Sequence, residues 1–251
     1  MSRRFLLAQI SDTHVRVDDE GASLRQMTRA LAQARDYAAD AILMTGDLVN
    51  DERDEEYAAL AAALIDPPAP LFLMPGNHDQ RARIRTHFPK HQYLPQDGFL
   101  SFALDQFPVR IVCVDQIVPG ETHGMLTDAQ AEWLDRTLSV SSRPTIVALH
   151  HPPIATHDVL FDQIGLRDAK LLKTVISKHK HVRRIICGHH HRVVFGQVAH
   201  APVIIAPSTS WVYGLALTDT QPIAPKTSEQ PGWMLHIWSE QDGFVSHFIG
   251  L

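Results

Sequence analysis

The chain has 251 residues, 45% hydrophobic and 20% charged, values that allow a sizeable buried core and argue against disorder. With 23 lysines and arginines against 28 acidic residues, the formal charge is −5, and there is no long basic block, which disfavours nucleic acid as a stable partner. Only Cys113 and Cys187 occur, each inside an apolar run, and they read as two buried thiols rather than a disulfide.

FLLAQI at 5–10 predicts a first strand. It is too short for a signal-peptide core or for the ~20-residue span of a membrane helix, so the expectation is a cytoplasmic protein with no membrane contact. Leu24, Met27, Leu31 and Ala34 recur at three- and four-residue steps, the spacing of one buried helix stripe. AILMT at 41–45 predicts a strand, Tyr57, Leu60, Ala61 and Leu64 a helix, and LFLM at 71–74 another strand. This βαβαβ rhythm implies a parallel sheet covered by helices. FLSFAL and VRIVCV, on either side of a turn containing Pro108, predict paired strands, and Leu126, Trp133, Leu134 and Leu138 outline a helix capped by Thr127. TIVAL at 145–149 and RRIIC at 183–187 are strands again, with Leu171, Leu172, Val175 and Ile176 on a helix between them. Beyond His191, VVFGQV, PVIIAP, a stretch around WVYGLAL, WMLHIW and FVSHFI predict mostly antiparallel strands forming a second sheet. The expected architecture is α/β, a four-layer αββα sandwich of two mixed sheets flanked by helices, as one domain over residues 1–251. The proline-rich segment 218–232 is expected to form a flap.

Five short segments share one design, each following an apolar strand and placing metal-competent side chains where it ends: SDTH at 11–14, TGDLVND at 45–51, PGNHD at 75–79, LHHPP at 149–153 and CGHHH at 187–191. Taken singly each is weak, because an aspartate before a turn is most often a cap and a loop histidine most often solvated. All five in this order carry the signal, since loops at the carboxyl ends of strands converge on one cavity in α/β sheets.

Those segments resemble the calcineurin-like metallophosphoesterase family, whose ordered signature reads here as Asp12-Thr13-His14, Gly46-Asp47 through Asn50, Gly76-Asn77-His78-Asp79, His150-His151-Pro152 and Gly188-His189-His190-His191. The resemblance runs from about Gln9 to Ser210. The segment 114–138, with Asp115, Pro119, Gly120, Gly124, Leu126, Gln130, Trp133 and Leu134, is similar to the small bacterial branch of cyclic-AMP phosphodiesterases and glycerophosphodiesterases. Where that branch commonly has a glycine after GDLVND, this chain has Glu52 and an acidic run, DERDEE, read as a solvated helix start that makes this rim negative.

The resemblance implies two metal ions, one held by Asp12, His14, Asp47 and His191 and the other by Asp47, Asn77, His150 and His189. A carboxylate can share its oxygens between cations ~3.5–4 Å apart, which makes Asp47 a natural bridge. Imidazole and carboxylate donors suit iron, manganese, zinc or cobalt without choosing among them. Two divalent ions less two aspartates and a bridging hydroxide leave a residual charge of about +1, matched to a phosphodiester monoanion, with that hydroxide as nucleophile. By the same resemblance, His78 contacts the phosphate or protonates the leaving alkoxide, and Asp79 helps orient it.

The expected function is hydrolysis of small phosphodiesters, cyclic nucleotides or glycerophosphodiesters. The alternatives are a phosphomonoesterase, pyrophosphatase or nuclease with the same metals, or a non-catalytic scaffold. Self-association into a dimer or larger assembly is expected from the branch. His151 and His190 are read as supporting or solvent-facing, His123 as a possible lining of the substrate pocket, Ser208 and Thr209 as backbone support, and Trp211 and Tyr213 as core packing.

Overall fold

The computed structural model describes residues 4–218 and 226–251. The first sheet is built on β1 (Phe5–Ile10), β2 (Ala41–Thr45) and β3 (Leu71–Met74), three parallel neighbours joined through α1 (Ala22–Asp36) and α2 (Asp54–Ala63). α1 buries Met27, Ala30, Leu31 and Ala34, the stripe its spacing predicts. α2 opens with Asp54, Glu55 and Glu56, acids that complement the positive end of the helix dipole. A short helix, α3 (Arg81–His87), follows β3.

The second sheet begins with β4 (Phe102–Leu104) antiparallel to β5 (Arg110–Cys113). The chain then passes through β6 (Gly124–Met125) and α4 (Asp128–Ser139) to β7 (Thr145–Ala148), and through α5 (Val159–Gln163), β8 (Leu166–Arg167) and α6 (Ala169–Lys178) to β9 (Val182–Cys187). β5, β7 and β9 are parallel neighbours, while β6 and β8 form a separate two-stranded ladder. Thr127 caps α4 as predicted: its hydroxyl accepts from Gln130 N, and Gln130 Oε1 accepts from Thr127 N at 2.9 Å. This reciprocal pair contributes about 1 kcal/mol.

The C-terminal strands divide between the sheets, which corrects the expectation that they make a second sheet together. β10 (Val194–Val198) and β11 (Ala201–Ile205) extend the second sheet beyond β9, whereas β12 (Gly232–Ser239) and β13 (Gly243–Gly250) return to the first, with β12 antiparallel to β1. The WVYGLAL stretch is no strand; it contributes one isolated bridge, Tyr213 to Lys226. Part of the expected flap, 219–225, lies outside the described residues.

Strand alternation sets the layers. Ile111, Cys113, Ile146, Ala148 and Ile186 join the apolar cluster that contains the first sheet, while Val112, Val147, Leu149, Ile185 and Cys187 join the one beneath α4 and α6. The result is the expected αββα sandwich of two mixed sheets. A polar tie crosses it near the centre: Gln9 on β1 donates to Cys187 O at 2.8 Å and accepts from His236 Nε2 at 2.9 Å, locking β1, β9 and β12 together directly below the strand ends.

Candidate metal centre

The predicted site residues sit where β1, β2, β3, β7 and β9 end. Each loop leaves its strand sharply, and the backbone pays a local strain: Asp12 (φ 51°), His14 (42°), Asp47 (50°), His189 (70°) and His191 (60°) are all left-handed, a region non-glycine residues seldom enter. Main-chain bonds hold the turns against one another, with Asp12 N on Gly46 O at 3.0 Å, His14 N on Asp47 O at 2.9 Å and Gly188 N on His150 O at 3.0 Å. Two glycines are required by close approach. A Cβ on Gly76 would stand 2.2 Å from Asp47 Oδ1, and one on Gly188 2.7 Å from Asp12 Oδ2.

The side chains converge in two adjoining groups. Donor atoms of Asp12, His14, Asp47 and His191 lie within 4.8 Å of one another, and all four residues are buried. His14 Nε2 is 3.0 Å from His191 Nε2 and 3.5 Å from Asp47 Oδ2, while His191 Nε2 is 3.5 Å from Asp12 Oδ1. On the other side, His150 Nε2 is 3.3 Å from Asp47 Oδ1 and 3.2 Å from Asn77 Oδ1. Asp47 thus turns one oxygen toward each group. His189 stands against His150, ring centroids 5.2 Å apart, and its backbone N–H donates to Asp12 Oδ1 at 3.0 Å.

The protons explain what the arrangement lacks. His191 Nδ1 must donate to Trp211 O (3.0 Å), and His150 Nδ1 to Thr45 O (2.8 Å), because a carbonyl can only accept. His191 is neutral, so its Nε2 lone pair is left facing the Asp12 carboxylate, and His150 presents the same atom to Asp47 and Asn77 oxygens whenever it gives up its second proton. His189 Nε2, also buried, has no partner among the described residues. Lone pairs aimed at oxygens in a water-poor pocket call for a cation between them, and a backbone carbonyl on the far nitrogen is the usual support of a metal-ligating imidazole. The donor set therefore fits metal ions.

The ionisation pattern follows the same lines. Burial opposes the charge on Asp47, but His150, His78 and His14 around it hold its carboxyl well below the usual range. Burial works against His150 as well, and the facing Asp47 carboxylate raises it to about 9, a proton standing where positive charge is wanted. Burial, with Asp47 as a like-charged neighbour, pushes Asp12 up to about 7. His14 and His189 are driven well below their ordinary value by burial, and His191 to about 3.

His78 is part-buried beside these groups. Its Nδ1–H donates to Asn50 O at 2.6 Å and its backbone N–H to Asp47 Oδ1 at 2.9 Å, leaving Nε2 as the available atom. Asp79 touches His78 only through the chain. Its carboxylate accepts from Gly76 N, Leu48 N and the Tyr57 hydroxyl, so it pins the ends of β2 and β3 together.

Other expectations are revised. His151 and His190 are fully buried, which removes the solvent-facing reading of both. His151 Nε2 bonds Thr122 O at 3.1 Å and its ring packs on His189, whereas His190 lies under Phe161 with ring centroids 4.5 Å apart. His123 is buried, its Nε2 without a partner among the described residues; of its loop, Pro119 and Gly120 line the cavity beside Asn77. Ser208 Oγ donates to Asp12 O at 2.7 Å, the backbone support expected of it. Trp211 is not core packing: its ring lies 4.6 Å from that of His14 and 5.0 Å from that of His191, forming a wall of the centre. Its sequence neighbourhood carries no signal for that role, because nothing in PSTSWVY says which strand end it will meet.

Residues 5–193 match the profile of the calcineurin-like phosphoesterases. The chain belongs to that family. A curated relative from Enterobacter lignolyticus (strain SCF1), glycerophosphodiester phosphodiesterase GpdQ, is 30% identical over 98% of this chain and 93% of its own length. The 3',5'-cyclic adenosine monophosphate phosphodiesterase CpdA of Escherichia coli (strain K12) is 34% identical over 75% of this chain and 70% of its own. Among solved structures, a dimetal phosphatase from Danio rerio superposes with a TM-score of 0.73 at 15% identity, covering 98% of this chain and 96% of that one, a likeness of fold. Family membership and the buried donor set together support metal ions as the cofactor of this phosphoesterase.

Proposed function

We propose that the chain is a binuclear metal-dependent phosphodiesterase acting on small phosphodiesters such as glycerophosphodiesters or cyclic nucleotides. The observation that carries this reading is Asp47, whose two oxygens face two separate groups of nitrogen and oxygen donors. The names of the relatives, which act on glycerophosphodiesters and on cyclic AMP, support a diester over a monoester.

In this reading Asp12, His14, Asp47 and His191 hold one ion, and Asp47, Asn77, His150 and His189 the other. Iron, manganese, zinc or cobalt suits these donors. Such ions, when bound, lower the pKa of water toward ~7 and neutralise charge on the phosphate oxygens. The chain's own part is to fix and to exclude. The carbonyls of Thr45 and Trp211 orient His150 and His191, Trp211 covers His14, and the Asn50 carbonyl orients His78 so that Nε2 can contact the phosphate or pass a proton to the leaving oxygen. Burial opposes the charged form of His78, but Asp47, the Asn50 carbonyl and Asp79 outweigh it and raise the ring above its ordinary value, which favours the donor form.

The remaining parts of the reading are one domain over 1–251, supported by an apolar cluster that runs from Phe5 to Leu251, and a cytoplasmic setting, supported by two buried free thiols. Self-association as a dimer or larger is the last, and sedimentation velocity tests it. The deciding experiment for the function is metal-stripped protein reconstituted with each candidate ion and assayed on bis(p-nitrophenyl) phosphate and on the corresponding monoester. Diester turnover that tracks bound metal is the expected result; monoester preference, or turnover without metal, would overturn it.

A further inference from the structure

Beside Asn77 a cavity of about 270 Å³ opens between the start of α3 and the loop at 117–120, and Glu52 stands on its wall with Gln80, Arg81 and Gly120. Glu52 is in a left-handed conformation (φ 57°), which costs a residue with a Cβ on the order of 1 kcal/mol. The neighbourhood enforces it. Glu56 Oε2 accepts from the N–H groups on either side, Asp51 N at 2.9 Å and Arg53 N at 3.2 Å, and so clamps the backbone around Glu52. The side chain is held as well: its Oε2 accepts from Gln80 Nε2 at 2.5 Å, and Gln80 Oε1 accepts in turn from Arg83 Nε at 3.1 Å.

The charges decide what this group can meet. The arginines around it are already matched: Arg81 binds Asp115 through two bonds of 2.6 and 2.8 Å, Arg83 pairs with Asp54 at 2.7 Å, and Arg53 with Asp51 at 3.2 Å. Glu52, among the described residues, has only a neutral amide, and no protein donor reaches its other oxygen. The cavity therefore joins the candidate metal centre at Asn77 to an uncompensated carboxylate held in a strained, over-determined position.

We infer that Glu52 is a specificity-determining residue. Its carboxylate takes hydrogen bonds from the alcohol portion of the phosphodiester, selecting alcohols that carry an ammonium or a hydroxyl and rejecting those that carry an anion. This rests on the phosphodiesterase reading and names its substrate class more closely: the phosphate faces the metal donors, and a short donor-bearing alcohol faces Glu52.

The test uses the full metal-loaded chain and three methyl phosphodiesters whose second alcohol is 2-aminoethanol, glycerol or 3-hydroxypropanoate. The wild type should favour them in that order, with roughly tenfold in KM between the first and the last, the effect of one charge-assisted hydrogen bond. E52Q should erase most of that tenfold preference, the change falling on KM rather than kcat. E52G should erase it too while raising Tm by about 2–4 °C, because glycine carries no penalty in this conformation. A preference that survives both substitutions overturns the inference. A titration of phosphoethanolamine against n-propyl phosphate needs no turnover and decides the matter separately: affinity for phosphoethanolamine should fall about tenfold in E52Q, and equal binding to wild type and E52Q overturns the role of Glu52. A wild type that binds phosphoethanolamine through Glu52 but hydrolyses none of the diesters overturns the phosphodiesterase reading instead.

Discussion

The two halves of the candidate centre are built differently. Asp12, His14, Asp47 and His191 bring two carboxylates, three residues from the adjoining ends of β1 and β2, and a covering indole, Trp211. Asn77, His150 and His189 bring no carboxylate of their own and rely on the second oxygen of Asp47. A half with two anions attracts a divalent cation more strongly than a half with neutral donors and one shared oxygen. In the proposed binuclear reading, this difference couples the halves through one side chain and predicts that they fill unequally.

Asp47→Ala should have the largest effect, because it injures both halves. Metal content should fall in each, and kcat/KM should drop by more than about 10³-fold, well beyond the ~10–100-fold typical of outer partners; elemental analysis beside diester kinetics reads both. His78→Ala should leave the metal content as it is and lower kcat by roughly 10²-fold or more for an alkyl leaving group. With p-nitrophenolate, which needs no proton to depart, the loss should be clearly smaller, and an equal loss for both would remove His78 as a proton donor. Asn77→Ala separates the halves: at limiting metal, calorimetry should show one ion retained and one weakened, with activity down roughly 10–100-fold. Two ions bound at wild-type affinity would refute the asymmetry.

Away from the site, His236 offers a pH test of the tie below it. Burial, with Arg184 nearby, lowers its folded value to about 3, against an ordinary 6.5, so the folded state binds fewer protons than the unfolded one. Its neutral form costs nothing above pH 6.5, and stability is lost progressively as pH falls from 6.5 toward about 3. Between pH 6.5 and 5 the wild type should lose on the order of 2 kcal/mol more than His236→Gln in urea melts, and parallel curves would exclude the effect. Smallest of all, Trp211→Phe keeps a ring beside His14 but weakens the contact with Lys226, whose ammonium lies 3.8 Å from the indole centroid. The expected cost is about 0.5–1 kcal/mol in thermal stability with metal content unchanged.

The strand-end motifs were legible because each combines an apolar run with residues that gain from leaving it abruptly. Asp12, Asp47, Asn77, His150, His189 and His191 all converge for that reason. What pattern could not reveal was partnership at long range. β12 looks like any buried strand, and only packing brings Trp238 opposite Phe5 instead of beside β11. α3 and α5 are one or two turns long, too short for periodicity to declare them. Trp211 was invisible for a related reason: it is placed by a loop from the other sheet, and that cause is not written in its own neighbours. Glu52 is visible as an oddity after GDLVND but reads as a solvated helix start, because the pattern does not tell that the Glu56 side chain clamps the backbone around it.

The carbonyl partners of His150 and His191 settle the direction in which these rings point before any ion arrives. Loading then needs no ring flip, and both imidazole N–H protons sit beyond the reach of bulk water. Metal-free protein labelled with nitrogen-15 should accordingly display two far-downfield proton signals that persist on a slow exchange timescale, a fingerprint of a receptacle folded ahead of its contents.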